Sequence, residues 1–294
     1  MKSVSNIRAG VVFALLTAAG LGAITTQAKI IYADGGNAMT LMLTRFLIST
    51  LVFGLLLAVK HQPFKVERQL RLPVAAVGFV WSGAMICYLL SVESISVSVA
   101  VLVLYSYPLL VLIYSILRGQ LSPSPLLVLV FFIAFLGLYL ALSGGEIKLD
   151  ATGLVLVLLA GLGAAFTFIK GAQVAPRLNP LLITFWINAI GLLMIIPLVY
   201  TRFSLPASTT GLISLGAATL FYIIAILCQF QALARLPATT AAFILNLEPV
   251  VSILLASIIL KEQLSNLQWL GVILVISVLV ASVRIKTSHS RVES

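Results

Sequence analysis

Uninterrupted apolar stretches of about 20 residues recur along the whole chain, separated by short segments rich in polar residues, glycine and proline. A helix of this length crosses ~30 Å of hydrocarbon, because it rises ~1.5 Å per residue. The pattern therefore predicts an all-α polytopic membrane protein with ten transmembrane helices. We expect them at residues 9–32, 38–59, 73–91, 96–117, 125–144, 152–171, 181–200, 211–233, 238–260 and 267–284.

The ninth predicted span and the turn after it have a counterpart near the middle of the chain. Pro108 falls where Pro249 falls, and the run Gln-Leu-Ser at 120–122 returns at 263–265. Gly10 maps onto Gly153 and Gly20 onto Gly163, both with a shift of 143 residues. Asn37 maps onto 179 with a shift of 142. A shift near half of the 294 residues indicates a tandem duplication, with five-helix repeats at 1–145 and 146–294.

The basic residues predict how the chain crosses the membrane, because cytoplasmic loops are enriched in Lys and Arg. With the N-terminus inside, three basic residues lie outside, namely Lys148, Arg202 and Lys261. Twelve lie in the cytoplasm: Lys2, Arg8, Lys60, Lys65, Arg68, Arg71, Arg118, Arg177, Arg235, Arg284, Lys286 and Arg291. We expect a multi-pass protein of the plasma (inner) membrane with both termini cytoplasmic. Because each repeat has five helices, the second repeat then crosses the membrane in the opposite orientation to the first.

Residues 1–32 have the basic start, apolar run and small residues of a signal peptide. Residues 153–174 repeat the pattern in mid-chain, where no signal peptide acts. We therefore expect the first segment to be retained as a helix. Two inverted halves can exchange conformations, so that a site between them opens to each side in turn. The sequence thus predicts an alternating-access carrier.

The second half carries three runs that together resemble a known family: Asn-Leu-Glu-Pro-Val at 246–250, Leu-Lys-Glu-Gln-Leu-Ser at 260–265 and Gln-Trp-Leu-Gly at 268–271. They are similar to the EamA-type ten-helix carriers of the drug/metabolite transporter superfamily. The resemblance covers essentially the whole chain and implies a permease, often an exporter of amino acids or other small metabolites. The first half departs from this pattern, since Gly119 stands near where the second has Glu262.

Glu248 is the leading candidate for chemistry, because it lies near the middle of the ninth span. A charge there costs at least ~2.5 kcal/mol on insertion scales. It could bind a substrate amine or carry a proton, or it could be a neutral, hydrogen-bonded group that only fastens the helix beside Pro249. Pro108 and Pro249 interrupt backbone bonding and are candidate hinges, with a static kink as the alternative.

Aromatic residues are placed by the repeat beside this carboxylate. Tyr107 maps onto Glu248, and the pair Trp81 and Tyr88 maps onto Tyr222 and Gln229. Each pair is seven residues apart and so shares a helix face. Such a site would suit amines, cations or aromatic solutes. Interfacial belts, to which Tyr32 is assigned, and plain helix packing are the alternatives.

Two basic residues within spans remain open to two interpretations. Lys170 could bind a substrate carboxylate and, with Glu248, recognise a zwitterion, or it could snorkel to the nearby surface. For Arg45 we expect snorkelling or pairing near the outer surface. The candidate substrate-binding residues are Trp81, Tyr88, Tyr107, Lys170, Tyr222, Gln229, Asn246 and Glu248.

Other classes of function lack the residues they need. Both histidines lie outside the spans, no metal-ligand motif or Walker loop occurs, and both cysteines lie in apolar runs. We therefore expect no enzyme, no metal and no cofactor. Despite the net charge of +10, the basic residues form no nucleic-acid motif. The predicted partners are the bilayer, a small-molecule substrate and protons as one candidate coupling ion.

The sequence thus predicts a secondary-active transporter, an exporter of small metabolites such as amino acids, amines or aromatic solutes. Alternatives are a transporter of lipid-linked, sugar or nucleotide-type metabolites, a channel, or an intramembrane enzyme.

Overall fold

The structure is a computed structural model that describes residues 4–143, 147–200 and 202–292, which are helical and contain no strand. The predicted repeat boundary at 145–146 lies outside the described residues, as does Lys2. The α-helices are α1 Val4–Ala33, α2 Ala38–Val59, α3 Arg68–Ser91, α4 Val97–Leu104, α5 Tyr107–Leu117, α6 Pro125–Ala141, α7 Ala151–Val174, α8 Pro180–Val199, α9 Thr209–Arg235, α10 Ala238–Ile244, α11 Leu247–Ile259 and α12 Asn266–Val292.

These twelve described helices make the ten predicted crossings, because α4 with α5 and α10 with α11 each form one interrupted span. Eight crossings are long and apolar enough to span a bilayer, and α6 and α12 contribute shorter apolar segments. The predicted start of the third span at 73 was wrong, since α3 begins at Arg68 and Pro73 lies within it. Pro73 lies beyond the first turn of α3, and the helix continues through it without a break.

Polar side chains fix where several helices begin. The Asn37 side chain accepts a hydrogen bond from the Thr40 N–H at the start of α2. Its repeat partner Asn179 accepts one from the Leu181 N–H at the start of α8. Such N-caps satisfy backbone donors that the first turn leaves free. Each repeat therefore begins its second helix with an asparagine N-cap.

Glycines at the helix interfaces show the duplication at atomic scale. A Cβ added to Gly20 of α1 would lie 3.0 Å from the Ala225 Cβ of α9, and one added to Gly163 of α7 would lie 2.7 Å from the Ala84 Cβ of α3. Gly20 and Gly163 are repeat partners, and so are Ala84 and Ala225 at a shift of 141. Each repeat therefore packs its first helix on the third helix of the other through the same small-residue contact.

The remaining helix pairs agree with a two-fold relation between the halves. α2 packs on α8 and α6 packs on α12, and the repeat maps each of these pairs onto itself.

We define the proximal end of the bundle as the end where α1 begins, and the distal end as the one where α1 ends and α2 begins.

The fourth and ninth spans are broken at equivalent places, just before the two prolines. α4 ends at Leu104 and α5 begins at Tyr107, while α10 ends at Ile244 and α11 begins at Leu247. A proline lacks the N–H that would bond the carbonyl four residues earlier, and its ring clashes with that carbonyl. Both breaks therefore follow from Pro108 and Pro249, in agreement with the predicted interruptions.

Large apolar side chains cover the outside of the bundle. Leu51, Leu55, Phe79 and Phe132 are each more than 60% exposed. In water a surface of this kind would drive association, whereas lipid tails solvate it. The exposed face is therefore the lipid-facing surface of a multi-pass membrane protein.

We predict that Gly163→Leu destabilises the bundle by ~1–3 kcal/mol, because the new side chain has to displace Ala84. Gly216→Leu is the matched control, since Gly216 faces open space on α9 and leucine is the better helix former. Thermal unfolding of the purified variants in detergent measures both. Equal melting temperatures would show that the α3–α7 contact is not tight.

Candidate functional site

Two opposite charges, one from each repeat, lie in the interior of the bundle. Arg45 is on α2, seven residues past its distal start, and Glu248 is the second residue of α11 at the break of the ninth span. The guanidinium and the carboxylate interact electrostatically. The interior therefore holds a guanidinium from the first copy and a carboxyl group from the second.

The guanidinium of Arg45 lies over an aromatic ring and retains unused hydrogen-bond donors. Its Cζ is 4.9 Å from the ring centroid of Tyr222 on α9. One terminal nitrogen contacts the Met42 sulfur, and the buried Nε has no hydrogen-bond partner among the described residues. A guanidinium has five N–H donors in a planar fork that matches a carboxylate. Arg45 can therefore accept an anionic group.

Tyrosines surround the carboxylate of Glu248. Tyr105, Tyr88 and Tyr107 all lie close enough to this carboxylate to interact with its charge. Gly22 makes room for this arrangement, because a Cβ there would lie 2.7 Å from the Glu248 carbonyl oxygen. The first turn of α11 also offers a positive helix-dipole end to the carboxylate.

Aromatic rings form the walls on both sides of the charges. Tyr107 lies 5.0 Å from Phe168 and 6.0 Å from Tyr105 between ring centroids. Phe46 packs edge-on against Tyr222 at 6.3 Å. These separations fall in the range of favourable aromatic pairs. We call the set Arg45, Glu248, Tyr88, Tyr105, Tyr107 and Tyr222 the central cluster.

Four of the predicted site residues are buried and hold polar atoms without a hydrogen-bond partner in the described chain. These atoms are the Trp81 indole N–H, the Tyr222 hydroxyl, both amide atoms of Gln229 and the Asn246 Oδ1. A buried polar atom left unpaired costs ~1–3 kcal/mol. Water or a bound solute has to satisfy these groups.

Lys170 lies apart from the central cluster. Its ammonium donates to the Gln173 Oε1 at 3.3 Å, near the proximal end of α7. Glu248 is at mid-span, so the structure does not bring the predicted cationic partner to the carboxylate. The structure does place Tyr88, Tyr107 and Tyr222 around the two charges.

Arg45 and Tyr105 are the residues that the sequence analysis missed. Arg45 does not snorkel to the surface, because the buried stripe of α2 passes through Met42, Phe46 and Ser49 and carries Arg45 inward. Arg45 is three residues after Met42 and four before Ser49, and this helical spacing in the sequence could have indicated that it shares their buried face. Tyr105 is the repeat partner of Asn246 at a shift of 141, so the subtraction that found Tyr107 would also have found it.

Tyr32 lies at the end of the first span, a position that fits its predicted role in an interfacial belt. Its side chain is 42% exposed at the distal end of α1. It is also close to Arg45 and Tyr88. The central cluster therefore reaches toward the distal end through Tyr32.

A cavity of about 190 Å³ lies beside the break between α4 and α5. Tyr105, Ser106 and Asn246 contribute its polar lining. Phe132, which is 64% exposed, and Phe135 line its lipid side. Tyr105 thus lies between the lipid-side cavity and Glu248.

Comparisons with known proteins agree with this architecture. A model of the EamA-like transporter family matches residues 8–143 and again residues 151–284. A solved structure described only as a crystal structure of a protein is similar in fold, with a TM-score of 0.73 at 16% identity over 90% of this chain and 96% of that one. No curated protein matches this chain. Two family matches that together cover most of the sequence show that the chain belongs to the EamA-like transporter family.

Proposed function

We propose that this protein is a secondary-active transporter that exports small zwitterionic or aromatic metabolites, such as amino acids, amines or aromatic solutes, by alternating access. The observation that carries this proposal is the central cluster, in which Arg45 from one repeat and Glu248 from the other interact within aromatic walls.

The chemistry of the cluster supports a zwitterionic solute. Arg45 has free donors for a carboxylate, and Glu248 accepts hydrogen bonds from an amine. Ring faces attract cations by ~0.5–2 kcal/mol and also stack on planar groups. A solute with both charges replaces the long-range interaction of Arg45 and Glu248 by two direct contacts. In this assignment Arg45 binds the substrate carboxylate, the role for which the sequence analysis considered Lys170.

The broken spans support alternating access. In transporters, discontinuous helices at mid-membrane form the substrate site between inverted repeats. Here Tyr107 and Glu248 follow the two breaks directly, and Pro108 and Pro249 stand next to them. We therefore assign the two prolines as hinges, because rotation at either break moves a residue of the central cluster.

The distribution of charge supports the orientation. Lys60, Arg68, Arg118, Arg177 and Arg235 all lie at the proximal end. The positive-inside rule then assigns the proximal end and both termini to the cytoplasm of a plasma membrane. Glu248 is the group in the cluster that can exchange a proton, which makes protons the coupling ion that we propose.

The lipid-side cavity favours a second candidate, a transporter of lipid-linked or amphipathic solutes. An apolar tail can enter beside Phe132 from the bilayer while a polar group contacts Asn246 or Tyr105. This candidate predicts that solutes with an apolar tail compete for the site more strongly than their short analogues.

We predict that Arg45→Gln and Glu248→Gln weaken binding of a zwitterionic aromatic amino acid by roughly 10- to 100-fold, since each removes a charge-assisted hydrogen bond. For the matching monoamine without a carboxylate, only Glu248→Gln should weaken binding. Lys170→Gln is the control and should bind both solutes as the wild type does. Calorimetry or thermal shift on purified protein measures these affinities. Loss of zwitterion binding in Lys170→Gln, with full binding in Arg45→Gln, would contradict the assignment.

We predict that Glu248→Gln inserts and folds normally but lowers exchange at least tenfold and abolishes its dependence on pH, because glutamine carries no exchangeable charge. Exchange of radiolabelled solute in proteoliposomes at several pH values is the measurement. Unchanged flux with an unchanged pH profile would remove Glu248 from the mechanism.

A further inference from the structure

Two ion pairs join the repeats at the distal end of the bundle. Lys29 at the end of α1 lies 2.7 Å and 2.9 Å from the two carboxylate oxygens of Glu262, in the turn between α11 and α12. Arg202, in the loop before α9, lies 2.8 Å from Glu93, in the turn after α3. Each pair takes one residue from the first repeat and one from the second.

Further hydrogen bonds reinforce the same junction. The Asp34 carboxylate accepts bonds of 2.8 Å from both the backbone N–H and the hydroxyl of Ser208. The Thr40 hydroxyl donates to the Ser204 carbonyl at 2.7 Å. The loop between α1 and α2 is therefore bound to the loop between α8 and α9.

The proximal end lacks the residues for equivalent ion pairs. The repeat maps Lys29 onto Ala172 with a shift of 143, and Glu262 onto Gly119. It maps Glu93 onto Ala234 with a shift of 141, and Arg202 onto Lys60 with a shift of 142. Neither mapped pair has two opposite charges. The duplicated scaffold is thus symmetric, but within the part of the chain that the structure describes the mapped positions form inter-repeat ion pairs at the distal end alone.

The ion pairs lie on or next to helices that carry the central cluster or Tyr32, which interacts with it. Lys29 is three residues from Tyr32 on α1, and its partner turn follows α11, which carries Glu248. Glu93 is five residues from Tyr88, and the Arg202 loop leads into α9 with Tyr222. A separation of the repeats at the distal end would therefore pull both pairs apart.

We propose that these two ion pairs form a distal latch that holds the distal end closed and biases the transporter toward the state open at the proximal end. The latch goes beyond the transported solute, and it rests on the proposed alternating access. Both pairs are about half exposed, with side-chain exposures of 46–54%. Pairs of this kind shift an equilibrium by about twofold to fivefold each, which is weak enough to open in every cycle.

The test measures distal opening directly. Spin labels at Val97 on α4 and Leu212 on α9, both exposed residues on opposite repeats, report the distance across the distal end. Cys87 and Cys228 are replaced by alanine so that labelling is specific. Reconstituted wild type should show mainly the short distance.

Charge reversal should open the latch, and reversal of both partners should restore it. Glu262→Lys and Lys29→Glu should each raise the distal-open fraction at least about fivefold, because like charges then face each other. The double variant Lys29→Glu with Glu262→Lys should return to the wild-type distribution. Lys148→Gln removes an exposed distal charge outside the latch and should change nothing.

Salt provides a second measurement that needs no charge reversal. At 1 M salt the Debye length is ~3 Å, so the distal-open fraction of wild type should rise about twofold while that of Glu262→Gln changes less. Unchanged distances in both single reversals, or a double variant that stays open, would overturn the latch. These distances are measured without any solute. They therefore test the latch and do not test the proposed substrate class.

Discussion

A charged side chain inside a bilayer has to be sheltered from hydrocarbon, and this constraint explains more of the structure than any other. An exposed charge at mid-membrane costs ~2.5–3.5 kcal/mol on insertion scales. Arg45 and Glu248 avoid that exposure by facing inward between the repeats. The glycine contacts of α1 with α9 and of α7 with α3 bring the two halves close enough to enclose them. Tyrosines then supply hydroxyl groups and ring faces where lipid would otherwise be.

The duplication supplies a symmetric frame, and the chemistry arises where the two copies have diverged. At four mapped positions the first copy has an aromatic residue, whereas the second has another side chain or a different ring. The pairs are Trp81 with Tyr222, Tyr88 with Gln229, Tyr105 with Asn246 and Tyr107 with Glu248. A site between identical halves would bind a symmetric solute best. Divergence allows one half to offer rings while the other offers an anion and amides, which suits an asymmetric metabolite.

The sequence predicted the frame well because its signals are local. Apolar length located ten spans, and subtraction of residue numbers identified the repeat that the Gly20 and Gly163 contacts then confirmed. The prolines indicated the breaks, and depth within a span identified Glu248. These inferences need only periodicity, hydrophobic length and the geometry of proline.

The site was predicted less completely because it depends on how helices rotate about their axes. Distance from a helix end suggested that Arg45 snorkels, but the rotation of α2 turns it onto Tyr222. Lys170, four residues from the end of α7, turns instead toward Gln173. Rotation is set by contacts with other helices, which no single span encodes.

The central claim is that two inverted halves expose one site to each side in turn. Tyr88 and Gln229 are repeat partners that lie toward the distal and proximal ends respectively. The most direct measurement replaces each by cysteine, in separate proteins without Cys87 and Cys228. It follows labelling by a membrane-impermeant thiol reagent applied from the distal side for position 88 and from the proximal side for position 229. The account predicts opposite responses to a transported solute, with one cysteine gaining reactivity as the other loses it. Simultaneous gain, simultaneous loss or no response at both positions would contradict it.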